Sequence, residues 1–158
     1  MLAPTTAVVF FYAAGSGSYL PGDVAASQWV QGFRTPWLDR LAEGLSFLGG
    51  ITMAIISVGV FAIALALDKK IRDGFVLLLV SLPDLAGHLL QEMIGRPRPT
   101  SDLVQVLTQA EGASFPSGHA IHATVFLGFL VYLVGLYVRE GSLKLLVRAF
   151  LLLLILGI

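Results

Sequence analysis

Apolar residues run with few interruptions from Leu45 to Leu67, Gly74 to Ile94, Ser117 to Val138 and Leu143 to Ile158, and charged residues gather between the runs. A hydrocarbon core about 30 Å thick takes about 20 helical residues to cross, so the first three runs have spanning length. The pattern predicts an all-α, polytopic transmembrane helix bundle with about five membrane helices, forming one domain over residues 1–158. The short run Ala7–Ala14 reads as the tail of a first helix, incomplete at its N-terminal end. The fifth helix, Leu143–Ile158, extends only about 24 Å at 1.5 Å per residue and has no polar flank at its end. It is expected to be incomplete, in a chain cut short at its C-terminus.

The connections carry their own signals. Gly15–Thr35 is rich in Gly and Ser, with Pro21, Trp29, Phe33 and Arg34, and Trp37 follows. That composition suits a segment at the membrane–water boundary. Thr35-Pro36 predicts a helix start, Thr as N-cap and Pro at the first helical position, for a helix continuous to Leu67. Asp68–Asp73 reads as a short turn before a third helix from Gly74 to Ile94. Ser101–Ala110, within the loop Gly95–Pro116, reads as a short interfacial helix.

Composition agrees with the pattern: 56% of residues are hydrophobic and only 13% charged, outside the range of soluble domains. Ten basic and ten acidic side chains leave no net charge, so no nucleic-acid partner is expected. The absence of cysteine excludes disulfides and thiolate chemistry. Polar residues inside the third helix are costly there, and Asp84, His88, Gln91 and Gly95 share a stripe roughly 60° wide at 100° per residue. The stripe is expected to face the bundle interior or a hydrated cavity, either as an interior polar pair that stabilises helix packing or, functionally, with Asp84 holding His88 or extending a site's polar network. His122, three residues after His119, is expected to be a supporting or lipid-interface imidazole. No spacing of His and carboxylates suggests a metal, and no cofactor is expected.

Chemistry concentrates at Ser114-Phe115-Pro116-Ser117-Gly118-His119-Ala120. Ser117 is a good N-cap for the fourth helix, whose first N–H groups and dipole favour an anion, and Gly118 lets a ligand approach the backbone. Upstream, Gly95-Arg96-Pro97-Arg98-Pro99 places two guanidiniums at the end of the third helix, where they match phosphate oxygens. Arg96, Arg98, the Ser117 hydroxyl and the Gly118 N–H therefore predict a phosphate site, with His119 as its acid.

These residues resemble the type 2 phosphatidic acid phosphatases, or lipid phosphate phosphatases, of the vanadium haloperoxidase superfamily. Arg98-Pro99 matches the end of that family's first motif, Lys, six residues, Arg-Pro; Pro116-Ser117-Gly118-His119 matches the second. The Lys position is Gln91, a neutral donor. The third motif, Ser-Arg, five residues, His, three residues, Asp, is not found in these 158 residues. The resemblance implies metal-independent hydrolysis in which a third-motif His forms a phosphohistidine and the second-motif His, here His119, protonates the leaving oxygen.

The expected function is thus an integral-membrane phosphatase acting on lipid phosphates or diphosphates, with phosphatidic acid, phosphatidylglycerol phosphate and undecaprenyl diphosphate as candidate substrates. The alternative is a catalytically inactive membrane protein that binds anionic lipid headgroups. Haloperoxidase chemistry is disfavoured, since those relatives are soluble. Lys69, Lys70, Arg72, Arg139, Lys144 and Arg148 mark one side as cytoplasmic by the positive-inside rule, so the site is expected to face the periplasm or cell exterior.

Overall fold

A computed structural model describes residues 22–106 and 112–158. The expected membrane segment around Ala7–Ala14 and the end of the Ser101–Ala110 stretch lie outside the described residues. Among the described residues all regular structure is helical: α1 (Asp23–Gln31), α2 (Pro36–Gly49), α3 (Ile51–Leu67), α4 (Ile71–Val80), α5 (Leu82–Ile94), α6 (Gly118–His122), α7 (Gly128–Tyr137) and α8 (Ser142–Gly157), with a π-helical turn, Ala123–Leu127, joining α6 to α7. By length and composition Ile71–Ile94 and Gly118–Tyr137 can cross a membrane, and α2 with α3 makes a third span if the bent pair is counted as one. Large side chains such as Met93, Leu67 and Leu156 are 82%, 80% and 83% exposed. Apolar surface on that scale is unfavourable in water and natural against lipid tails.

The helices differ from expectation at three places. The helix from Pro36 is not continuous to Leu67: it bends by 57° at Gly50, whose φ of −69° and ψ of 155° are extended. The Gly49-Gly50 pair lacks the side chains that favour helix continuation. The third apolar helix starts at Ile71 rather than Gly74; its interruption at Ser81 agrees with the kink that Pro83 predicts, since proline has no N–H to bond the preceding turn. The expected interfacial helix from Ser101 is only a turn in its described part, where the Leu103 and Val104 N–H groups both bond Thr100 O.

One compact unit comprises the described residues of Met1–Glu43 and His88–Ser117. Here Thr35 caps α2 as expected, its Oγ1 accepting from the Leu38 N–H at 3.4 Å. Arg34 grips Asp39 through two bonds of 3.0 and 2.9 Å. The Gln28 amide donates to Leu103 O at 2.9 Å. Gln31 both donates to Gln105 O, at 2.9 Å, and accepts from Gln105 N–H, at 3.1 Å. These contacts occupy backbone groups of Leu103 and Gln105 that a helix from Ser101 would need, which keeps the described part, residues 101–106, out of helix.

The second unit comprises Gly44–Gly87 and Gly118–Ile158. Helices α3 and α4 form a hairpin closed by a Schellman turn: Lys70 N–H bonds Leu65 O, Lys69 N–H bonds Ala66 O, and Lys69 takes a φ of +60°. Gly74 lets the two helices approach, since a Cβ there would lie 3.3 Å from Ala62 O. The apolar centre is Leu65, Leu77, Phe126, Phe129 and Leu133, with Leu77 fully buried. Lys70 Nζ sits 3.9 Å from the Tyr137 ring centroid, and the Tyr137 hydroxyl bonds Asp73. The α3–α4 turn and the C-terminus of α7 thus share one end of this unit, opposite Gly118 across a 20-residue helix.

Candidate active site

Helix α5 delivers the first group of candidate residues. It ends where Gly95 adopts a φ of +61°, a left-handed cap, and the Gly95 N–H bonds Gln91 O at 3.0 Å. The two prolines then keep Arg96-Pro97-Arg98-Pro99 out of helix. The run is braced by Ser114, whose N–H bonds Arg96 O at 2.8 Å and whose hydroxyl lies 3.2 Å from Arg96 O and 3.0 Å from Pro97 O. Alternation along this extended segment sends the two guanidiniums different ways. Arg96 is buried and pairs with Asp23, and its Nε has no hydrogen-bond partner among the described residues. Arg98 is exposed; its Nε donates to Gly112 O at 3.3 Å and its Nη2 to Ala113 O at 3.2 Å.

Gln91 joins Arg98 on the same acceptor, its Nε2 lying 2.5 Å from Ala113 O. The amide at the Lys position and the Arg-Pro guanidinium are therefore neighbours, seven residues apart in sequence and joined through one carbonyl. Of the stripe expected to face inward, Asp84, His88 and Gln91 are half-buried, whereas Gly95, just past the end of α5, is exposed, as are Leu85, Leu89 and Met93. Ser117 is the last residue before helix α6 and is itself exposed.

Gly118 and His119 open α6, in the second unit. The His119 imidazole is half-buried, and its Nε2 lies 3.3 Å from Ser46 Oγ on α2. Gly49, one turn further along α2, supports the same ring, for a Cβ on it would come within 2.8 Å of His119 Cδ2. The expected set thus divides between Gln91, Arg96, Arg98 and Ser117 in one unit and Gly118 and His119 in the other.

The partner of Asp84 is a correction. Its Oδ2 lies 3.0 Å from Nδ1 of His122, in place of the expected His88. His122 is only 5% exposed, so it does not lie at the lipid interface. Its Nε2 is 3.4 Å from Ser57 Oγ on α3, and its ring stacks on Phe126 at 5.3 Å. Ser46, Gly49 and Ser57 carry no local motif. Their roles come from helix packing, and the only sequence signal was a polar or small residue within an apolar run.

Comparison with known proteins supplies the frame for these residues. Residues 44–158 match the PAP2 superfamily model. Phosphatidylglycerophosphatase B of Bacillus subtilis is 28% identical over 137 residues, covering 84% of this chain and 66% of that protein, so the chain spans just under two thirds of its relative's length. The crystal structure of a transmembrane PAP2 type phosphatidylglycerolphosphate phosphatase from Bacillus subtilis aligns with a TM-score of 0.75 at 25% identity, covering 99% of this chain and 80% of that one. With a helical membrane fold, two sequence motifs and a family match over most of its length, this chain belongs to the PAP2 superfamily.

Proposed function

We propose that the protein is an integral-membrane lipid phosphatase that hydrolyses a lipid phosphate monoester or diphosphate at the outer face, through a phosphohistidine and without a metal. The observation that carries the proposal is the seating of His119. A titratable ring is held by Ser46 and fitted against Gly49 at the first turn of a membrane helix, directly after Pro-Ser-Gly, in a PAP2 chain. A general acid requires such positioning.

Phosphoryl transfer needs neutralised equatorial oxygens and an oriented leaving group more than covalent chemistry from the protein. Arg98 is the principal anion ligand in this proposal, with the Ser117 hydroxyl, the Gly118 N–H and the Gln91 amide. Arg96 contributes a second guanidinium, but a phosphate must displace Asp23 to reach it, so Arg96 is the weaker of the two. His119 donates its proton to the lipid alkoxide as the phosphorus–oxygen bond breaks. The attacking imidazole in this proposal is the family's third-motif His, a motif not found in these 158 residues. The names of the relatives make phosphatidylglycerol phosphate the first substrate to try, followed by phosphatidic acid and undecaprenyl diphosphate.

The test is phosphate release by the full-length protein in detergent micelles. His119→Asn is expected to lower turnover by about two to four orders of magnitude, the worth of a general acid. Unchanged release would remove His119 from the mechanism.

A second reading, headgroup binding without catalysis, is favoured by one observation: the family's Lys is replaced by Gln91, whose amide is already bonded to Ala113 O. Binding of anionic lipid with no phosphate release, converted to release by Gln91→Lys, would establish it.

A further inference from the structure

The Asp84–His122–Ser57 cluster lies within the second unit and belongs to none of the family motifs in this sequence. It joins three helices. Ser57 comes from α3, Asp84 from α5 and His122 from α6, one turn after His119. Such a set superficially resembles an activated serine, but the proton count argues otherwise. Ser57 Oγ also lies 3.0 Å from Ala54 O, which can only accept, so the hydroxyl proton is committed there. Ser57 must then accept from Nε2–H of His122, which leaves Nδ1 facing Asp84 Oδ2 at 3.0 Å. One proton lies on that line, whether carried by nitrogen or by oxygen, and the pair has no net charge in either form.

Neutrality is what the surroundings require. Asp84 Oδ1 is buried and has no hydrogen-bond partner among the described residues, and His122 is nearly enclosed. An uncompensated charge in an apolar interior costs several kcal/mol, whereas a hydrogen-bonded pair sharing one proton avoids most of that cost.

The local backbone is also specialised. Immediately after His122 the helix widens into the π turn Ala123–Leu127, an arrangement frequently found at functional positions. Its i+4 neighbour Phe126 stacks on the imidazole with the planes only 12° apart. Gly87, one turn from Asp84, lets α5 approach α6 so closely that a Cβ there would meet Ile121 Cδ1 at 2.4 Å. The ring is therefore fixed on both nitrogens and on one face.

We infer that Asp84 and His122 form a proton-sharing, net-neutral pair within the membrane that acts as a positioning device for His119, anchoring the first turn of α6 to α3 and α5. Two contacts, from Ser46 and Gly49, orient the His119 ring; the Asp84–His122–Ser57 anchor fixes the backbone one turn below it. The inference depends on the phosphatase proposal only for what His119 does once placed.

The test follows His119 by two routes in the full-length protein in detergent micelles: acylation of its imidazole by diethyl pyrocarbonate, read by mass spectrometry, and phosphate release from phosphatidylglycerol phosphate. Asp84→Ala is expected to speed His119 acylation by about threefold or more, as local opening exposes the ring. It should lower kcat by about 10- to 100-fold with KM nearly unchanged, the usual consequence of a small misplacement. Asp84→Asn should restore both, because its amide N–H can donate to Nδ1 of a neutral His122 that keeps its Nε2–H on Ser57. Leu133→Ala, a core change at the other end of the same helix, should leave His119 acylation as in the parent.

Parental acylation rates in Asp84→Ala would overturn the inference, as would an equal increase in Leu133→Ala, which indicates general loosening. If Asp84→Ala does not fold, His122→Gln is judged by the same criteria. A parent protein inactive on every lipid defeats the phosphatase proposal alone, and the acylation arm still decides the positioning role.

Discussion

Gly49 shows how much one absent side chain can decide. Replacing a helical Gly by Ala ordinarily stabilises by about 0.5–1 kcal/mol. Here the new Cβ would lie 2.8 Å from Cδ2 and 3.2 Å from Cβ of His119, and 3.1 Å from Ile158 Cγ2. Contacts below 3.0 Å force a shift, and the proximal part of the imidazole has little freedom to give. Gly49→Ala is therefore expected to displace the His119 ring and lower kcat by about tenfold or more. Gly44, five residues earlier on the exposed side of α2, has nothing within 4 Å of its notional Cβ. Gly44→Ala should raise the melting temperature in detergent and leave turnover intact. Equal kinetics in the two variants would mean that Gly49 does not seat His119. The sequence showed His119 but not this dependence, because the closeness of α2 to α6 is a tertiary fact.

At the scale of elements, the corner between α7 and α8 is held by a buried lysine. Helix α7 ends at Tyr137, so Gly135 O is among the last carbonyls without a helical partner. Lys144 is 7% exposed and donates to that carbonyl at 2.8 Å and to Glu140 Oε1 at 2.5 Å. Its role in the loop charge balance is thus secondary to a structural one. Lys144→Met should cost about 1–3 kcal/mol by stranding the carbonyl, read as a lower melting temperature. The hydrogen bond from Lys144, followed by its charge, holds the Glu140 carboxyl below the ordinary glutamate range. A depressed carboxyl contributes stability above its unfolded value of about 4.3, and that contribution is lost as pH falls through the lower folded value. Acidification through that window should lower the melting temperature of the parent more than that of Lys144→Met; identical pH profiles would show that the ion pair adds nothing.

For the whole molecule, the question is which face of the membrane receives substrate. Within the second unit, the α3–α4 turn with Lys69, Lys70 and Arg72 shares one end with Tyr137, and Gly118 and His119 lie at the other end of the Gly118–Tyr137 helix. Twenty residues at 1.5 Å each make about 30 Å, one hydrocarbon thickness, so the basic turn and His119 belong to opposite membrane faces. If the basic face is cytoplasmic, a cysteine at Arg72 should resist an impermeant thiol reagent in intact cells, while one at Ser101 should react. Labelling of Arg72→Cys alone would reverse the orientation and place His119 at the cytoplasmic face.

Hydropathy determined the helical class and the membrane location, and the Thr35-Pro36 cap determined the α2 start, because apolar length and caps act through the local chain. The same local logic singled out Arg98, Ser117, Gly118 and His119 as candidate site residues, because their motifs are contiguous, and the half-buried positions Asp84, His88 and Gln91 on α5, which follow from helical period. The bend at Gly50, the diversion of Arg96 to Asp23, the meeting of Gln91 and Arg98 on Ala113 O, and the exchange of His88 for His122 as the partner of Asp84 were decided by tertiary structure. Each requires knowing which segments, distant in sequence, approach within hydrogen-bond or van der Waals range. A polar residue on an apolar helix must find some partner, but its own neighbours in sequence do not say which of several helices provides it.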